Sequence, residues 1–206
     1  MASRIEHLLD SLIVRCAAYM PRSWFWQLRA KKIDQNWGTA RGDYEVIANV
    51  IEKTGAKSIL DIGCGTGRLF PLFLQKKIQR IVGQDVSRWA LQQAEMRYPS
   101  PRISLTHQPL TLLRSEEPFD LIISNRVLSA VKPKELEPVL RRLSTITNYL
   151  YLNEYGPSDG GQPSSYWFMH DYHKILPRVC SYTLIEEGKI LKQTYQLLGI
   201  SHPLKK

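Results

Sequence analysis

The fold is decided by Ile59-Leu60-Asp61-Ile62-Gly63-Cys64-Gly65-Thr66-Gly67-Arg68-Leu69-Phe70. Ile59, Leu60 and Ile62 form the short apolar run that a strand shows when both of its faces are covered. Glycines at 63, 65 and 67 follow, and apolar residues then resume at helical spacing in Leu69, Phe70, Leu72, Phe73 and Leu74. The pattern is strand, tight glycine turn, helix. With side chains missing at alternate positions, a flat polar ligand can lie close to the backbone, and the chain tolerates the positive φ that such a bend demands.

A dinucleotide-binding turn needs glycines at i, i+2 and i+5. Counted from Gly63 the last falls on Arg68, and from Gly65 on Phe70, so the spacing fails both ways. The remaining pattern, Asp-x-Gly-x-Gly-x-Gly, resembles the first motif of class I S-adenosylmethionine-dependent methyltransferases. The acidic residue that this family carries at the end of its second strand is matched by Asp85 in Ile81-Val82-Gly83-Gln84-Asp85-Val86-Ser87. A carboxylate there can accept from both hydroxyls of a ribose.

The resemblance covers residues 43 to 200. It implies an α/β fold, a Rossmann-like doubly wound seven-stranded sheet, mostly parallel with a C-terminal antiparallel hairpin; the residues ahead of it, outside the resemblance, read as an N-terminal helical cap. Residues 1–42 are then cap or lid, and 43–206 the methyltransferase domain. It also implies S-adenosyl-L-methionine as cofactor and S-adenosyl-L-homocysteine as product. The implied cofactor contacts are Asp61, Gly63, Cys64, Gly65 and Gly67 at the turn and Asp85 and Val86 after the second strand. Gln108 and Pro109 follow the third strand, where Gln108 stands in for the acidic residue that many members aim at the adenine amino group. Asn125 and Arg126 follow the fourth strand.

The 206 residues suit one domain with a substantial core, and a hydrophobic content of 43% is ordinary for a soluble globular protein. Cys16, Cys64 and Cys180 lie far apart without paired spacing, which argues against a disulfide framework or a zinc site. Net charge is +9, a balance that favours anionic partners. No run long enough to span a bilayer and no secretory leader pattern is present, so the expected location is cytoplasmic, with peripheral contact at a membrane as an option.

Ile5, Leu8, Leu9, Leu12, Ile13, Cys16 and Ala17 repeat at three and four and predict an amphipathic helix that Pro21 ends. Residues 22–32 predict a second helix in which tryptophans mix with arginine and lysine. Three readings stay open for residues 5–32: a cap packed on the core, contact with an anionic membrane, and, behind these, nucleic acid. The stretch from Ile33 to Ala40 reads as irregular, with Trp37 either a lid contact or surface packing. Ser164 to Leu176 reads as a helix, and Val179–Glu186 with Lys189–Leu198 as a hairpin turning at Glu187-Gly188.

Methyl transfer from a sulfonium needs positioning, desolvation and, for an oxygen nucleophile, a base. His170 is the first candidate base, since its ordinary pKa suits the task, and Glu154 at the end of the fifth strand is the next. His170 and His173 stand three apart, but a metal site needs a third ligand that the sequence does not supply. Arg126 is either a clamp for an anionic substrate or a surface arginine. Asn125-Arg126-Val127-Leu128 lacks the paired prolines and aromatic of enzymes that methylate amide or exocyclic amine nitrogen. The expected activity is therefore methylation of a small molecule at oxygen. The alternatives are a lipid- or quinone-like acceptor at a membrane surface, or a module that binds the cofactor without turnover and serves a partner.

Overall fold

The computed structural model describes residues 2–37, 42–160 and 163–201, apart from the side chains of residues 2–7 and 37. Helices α1 (Ala2–Cys16), α2 (Arg22–Trp37) and α3 (Tyr44–Thr54) precede the sheet. Strands and helices then alternate through β1 (Ser58–Ile62), α4 (Phe70–Gln75), β2 (Arg80–Asp85), α5 (Arg88–Arg97), β3 (Ile103–His107) and β4 (Phe119–Asn125). They are followed by α6 (Pro133–Thr145), β5 (Thr147–Glu154), α7 (Tyr172–Val179) and the hairpin of β6 (Ser181–Ile190) and β7 (Gln193–Ser201).

The seven strands lie in the order β3-β2-β1-β4-β5-β7-β6. The first five are parallel, and β7 enters antiparallel between β5 and β6. Strand order therefore reverses between β1 and β4, and an open α/β sheet offers its ligand crevice outside the carboxyl ends of the strands at that point.

The continuous apolar run of β1 follows from its central place. Ile59 faces a cluster with Phe70, Phe73, Ile81, Leu121 and Ile47 of α3, while Leu60 and Ile62 face Ile122, Leu140, Leu143 and Leu150 on the other side. Each fully buried side chain of this size contributes about 1.5–3 kcal/mol. Gly55 closes α3 in the left-handed region at φ 62°, and the Ser87 hydroxyl accepts from Ala90 N at 3.2 Å to cap α5.

Three local expectations are corrected. Helix α2 continues to Trp37 instead of breaking at Ile33, because Asp34 is held on both the glycine turn and α5. Residues 163–171 are not helical. Ser164 N donates to Trp167 O at 2.8 Å and Phe168 N to Ser129 O at 2.7 Å, so α7 starts only at Tyr172. The hairpin turns at Leu191-Lys192, since Gly188 lies within β6 against Tyr195, where an added Cβ would come within 2.7 Å of the ring.

Among the described residues no helix is long and apolar enough to cross a membrane, and no group of three or more His, Cys, Asp or Glu side chains could hold a metal ion.

Candidate active site

The glycine turn is held by the residues of β2. Gly63 N donates to Gln84 Oε1 at 3.1 Å and Cys64 N to the Gln84 carbonyl at 2.9 Å. Asp85 accepts from Gly65 N at 2.9 Å and Ser87 N at 2.8 Å, one bond to each carboxylate oxygen. Gln84 also gives its amide to the Gln108 carbonyl, which ties the turn to the end of β3.

The three glycines answer to different neighbours. A Cβ on Gly63 would meet the Val127 side chain at 2.4 Å and one on Gly67 the Phe70 ring at 2.5 Å. Gly65, with φ +56°, has nothing within 4 Å of that position. Two glycines are thus demanded by the protein's own packing, and one opens toward the cavity.

Two acids sit beneath the turn. Burial pushes Asp61 up to about 8, against the pull of Arg68, with Asp43 and Asp85 adding to the rise. Burial also raises Asp85, opposed by the backbone N–H groups of Ser87 and Gly65. Behind them Asp43, 4% exposed, takes a two-pronged bond from Arg68 at 2.6 and 2.8 Å and another from Asn125 Nδ2. Burial alone would raise the Asp43 carboxyl, but this fork holds it below its ordinary value. Asn153 Nδ2 donates to Asn125 Oδ1 at 3.1 Å, so the Asn125 amide is fixed from two sides.

The loop after β4 is built on Glu154. This carboxylate is 2% exposed and accepts from Ser124 Oγ, Val127 N, Leu128 N, Ser129 N and Ser129 Oγ at 2.6–3.0 Å. The clasp carries Arg126 in the left-handed region at φ 63°, with its N–H on the Asn153 carbonyl at 2.9 Å, and presses Val127 onto Gly63. Burial and the nearby Arg68 charge hold the Arg126 guanidinium below its ordinary pKa.

The roof is α2. Asp34 accepts from Thr66 Oγ1 at 2.6 Å and from both Nη atoms of Arg97 at 2.7–2.8 Å, and the Arg97 fork keeps its carboxyl below the ordinary range. Gln27 Oε1 receives the Arg88 N–H at 2.8 Å. The extended 163–171 segment forms the far wall, where Tyr166 and Trp167 pack against Phe25, Trp26 and Tyr155.

Roof, turn and wall enclose a cavity of about 1090 Å³. Asp61, Gly63, Cys64, Gly65, Asp85, Val86, Gln108, Pro109, Asn125 and Arg126 line it together. Gly67 does not; it packs behind the turn on Phe70 and Tyr98. The side chain of Trp37 lies outside the described residues.

Neither candidate base lines the cavity, and both expectations are corrected. His170 is 4% exposed, with Nε2 3.0 Å from the Val131 carbonyl, and burial lowers its pKa. The helix that would have presented it beside His173 is not formed. Glu154 is occupied as the loop clasp. The sequence reading also passed over Gln84, Asp43, Arg68, Asp34 and Arg97. Only Arg68, inside the glycine motif, carried a positional hint.

Residues 59–148 match a family model described as a methyltransferase domain. A Haemophilus influenzae protein is 29% identical over 143 residues, covering 65% of this chain and 56% of its own length. A Mycobacterium tuberculosis protein, named as an uncharacterized methyltransferase, is 27% identical over 103 residues, 48% of this chain and 50% of its own. The chain thus spans about half the length of the curated relatives it matches. Among solved structures, CalS10, an amino pentose methyltransferase of Micromonospora echinaspora, aligns with a TM-score of 0.65 at 15% identity over 77% of this chain and 90% of its own, a likeness of fold. By its matched segment the chain carries a methyltransferase domain over residues 59–148, and the order of its seven strands gives it the fold of solved S-adenosylmethionine-dependent methyltransferases.

Proposed function

We propose that the protein binds S-adenosylmethionine in this cavity and transfers its methyl group to an oxygen of a small-molecule acceptor. One observation carries the reading: a single space of about 1090 Å³ joins the glycine turn and its two acids at one end to an aromatic, arginine-bearing chamber at the other. Ligand sites run to roughly 300–1,000 Å³, so this space has room for a donor and an acceptor side by side. The residues fit the cofactor. Gly65 leaves the space a side chain would fill, and Asp61 and Asp85 offer two carboxylates to a molecule that carries an ammonium group and a ribose. The neighbour CalS10 was crystallised with S-adenosylmethionine bound.

When bound, the cofactor supplies a methyl group already activated by the sulfonium charge. The chain's own residues position and desolvate. Asp61, losing its proton to solvent, would pair with the ammonium, Asp85 would accept from the ribose hydroxyls, and Gln108 and Pro109 would flank the base. Asn125 and Arg126, held rigid by Asp43, Asn153 and Glu154, form the floor between donor and acceptor. With His170 and Glu154 both withdrawn from the cavity, the acceptor oxygen is one that ionises without them, and the Arg126 cation favours its anionic form.

Calorimetry with S-adenosylhomocysteine and turnover in a metabolite extract test this. The expected result is a saturable isotherm and acceptor-dependent release of S-adenosylhomocysteine. A protein that ignores both S-adenosylmethionine and S-adenosylhomocysteine sinks the reading, and tight binding without turnover in any extract favours the non-catalytic module.

A second reading, an amphiphilic or quinone-like acceptor met at an anionic membrane, draws on uncovered apolar side chains in α1 and α2. Leu8, Leu12, Trp24 and Leu28 are 57–68% exposed in a chain of net charge +9.

A further inference from the structure

The acceptor end of the cavity contains a cation whose hydrogen bonds are unfinished. Arg22 begins α2, lines the cavity and gives Nη2 to the Ser165 carbonyl at 2.8 Å. Its Nε and Nη1 are shielded from water and meet no hydrogen-bond partner among the described residues. Its guanidinium stands 5.3 Å from the centre of the Phe168 ring. Glu135 is the acid whose field reaches Arg22 and partly offsets the effect of its burial. Leaving buried donors unpaired is unfavourable, and a rotation of the guanidinium that brings Nη1 into the cavity would let it meet an anion, while Nη2, with two hydrogens, can keep the Ser165 carbonyl.

Aromatic rings continue from this point along the same cavity. Trp26 meets Tyr166 edge to face at 6.3 Å and Trp167 at 6.5 Å, and Trp167 meets Tyr155 at 5.8 Å. All four rings line the space, and Tyr155 lies close enough to Arg126 for its charge to act on it. The wall therefore runs from Arg22 toward the floor beside the turn. A flat ring can pack against such a wall, and a carboxylate matches the parallel donors of a guanidinium edge.

Resting on the methyltransferase reading above, we propose that the acceptor is a ring-bearing carboxylic acid. Its carboxylate is held on the Nη1–Nη2 edge of Arg22, where Nη2 keeps its other hydrogen on the Ser165 carbonyl, and its ring lies against Trp26, Tyr166 and Trp167. Arg22 acts here as a specificity residue: it selects the acid and places the far end of the ring toward Arg126.

The test uses full-length protein saturated with S-adenosylhomocysteine and matched acid and amide probes: benzoate with benzamide, para-hydroxybenzoate with para-hydroxybenzamide, and indoleacetate with indoleacetamide. Binding is read by calorimetry and by quenching of tryptophan emission. At least one acid should bind about tenfold or more tightly than its amide, the scale of a charge-assisted hydrogen bond. Arg22→Gln should abolish that preference while S-adenosylhomocysteine affinity persists. Should that variant melt early, Arg22→Lys, which keeps the charge but not the fork, should retain only part of the preference. Acids that bind no better than their amides, or not at all, to a protein that binds S-adenosylhomocysteine overturn the proposal. So does a preference that survives Arg22→Gln intact. A protein that fails to bind S-adenosylhomocysteine overturns the methyltransferase reading, and this proposal with it.

Discussion

Asp61 lies deep under the turn, and on the proposed binding mode its environment would make cofactor binding a proton-coupled event. Its carboxyl titrates near 8 in the folded protein because burial disfavours the charge, against an ordinary value of 3.8. Between those values the folded state keeps a proton that the unfolded chain has lost, so this group's contribution to stability falls as pH rises from about 4 to about 8. An ammonium beside it reverses the preference. Binding at pH 7 should therefore release up to one proton, and affinity should rise with pH toward 8. Calorimetry in phosphate and in Tris reads the release directly, and a binding enthalpy independent of buffer would refute it. Asp61→Asn should remove the buffer dependence.

Asp85 makes a second prediction at the same scale. Asp85→Ala should weaken S-adenosylhomocysteine binding by ~1.5–3 kcal/mol for each charge-assisted bond lost. Part of that loss belongs to the turn, because Gly65 N and Ser87 N lose their acceptor. Asp85→Asn keeps an acceptor for one of them and should fall between. An unchanged isotherm for the alanine variant would take Asp85 out of the site.

Single residues were legible where a motif fixes the backbone, as at Gly63, Gly65 and Asp85. They were illegible where a role depends on who else arrives. Glu154 and His170 carry the right chemistry for a base, but Glu154 meets five donors of the 124–129 loop and His170 meets a carbonyl of Val131. Nothing in local sequence announces such partners.

At the scale of elements, α2 is the part on which closure of the cavity depends. Its docking passes through Asp34, which grips Thr66 of the turn and Arg97 of α5. Asp34→Ala should loosen the roof by about 1 kcal/mol, raising amide exchange in residues 22–36 and the release rate of S-adenosylhomocysteine roughly fivefold. Exchange confined to wild-type levels would show that other contacts hold the helix. The neighbouring α1 makes a separate prediction for the membrane reading. Full-length protein should float with phosphatidylglycerol vesicles, and a Leu8→Ser, Leu9→Ser, Leu12→Ser variant should not; wild-type protein that never floats disposes of that reading.

Strands and helices of the sheet were readable because apolar periodicity and caps agree, as with Gly55 and Ser87. The 163–171 segment was not. Its aromatics resemble one face of a helix on paper, but they are spent on Phe25, Trp26 and Tyr155, and Phe168 bonds to Ser129. Tertiary partners overrode local pattern. In the hairpin, Gly188 resembled a turn residue but serves as room for the Tyr195 ring.

Across the whole molecule, Glu154 joins stability to the geometry of the site. Replacing it with alanine orphans three backbone N–H groups and two hydroxyls, and should destabilise the protein by about 2–4 kcal/mol while abolishing turnover. Chemical denaturation and an activity assay on the same preparation check both. A variant that keeps full stability would show that the loop does not depend on the clasp.

The cavity draws its donor end from residues 61 to 127 and its ceiling from α2, which precedes the sheet in the chain. On the proposed reading, grip on the nucleoside would fall mainly to residues 61–127 and choice of recipient mainly to α2 with the wall of Tyr155, Tyr166 and Trp167. A chimaera carrying another homologue's opening helices on this sheet could be redirected to a new recipient provided the graft keeps the Asp34 grip on Thr66 and Arg97, and lineages could diversify by the same exchange.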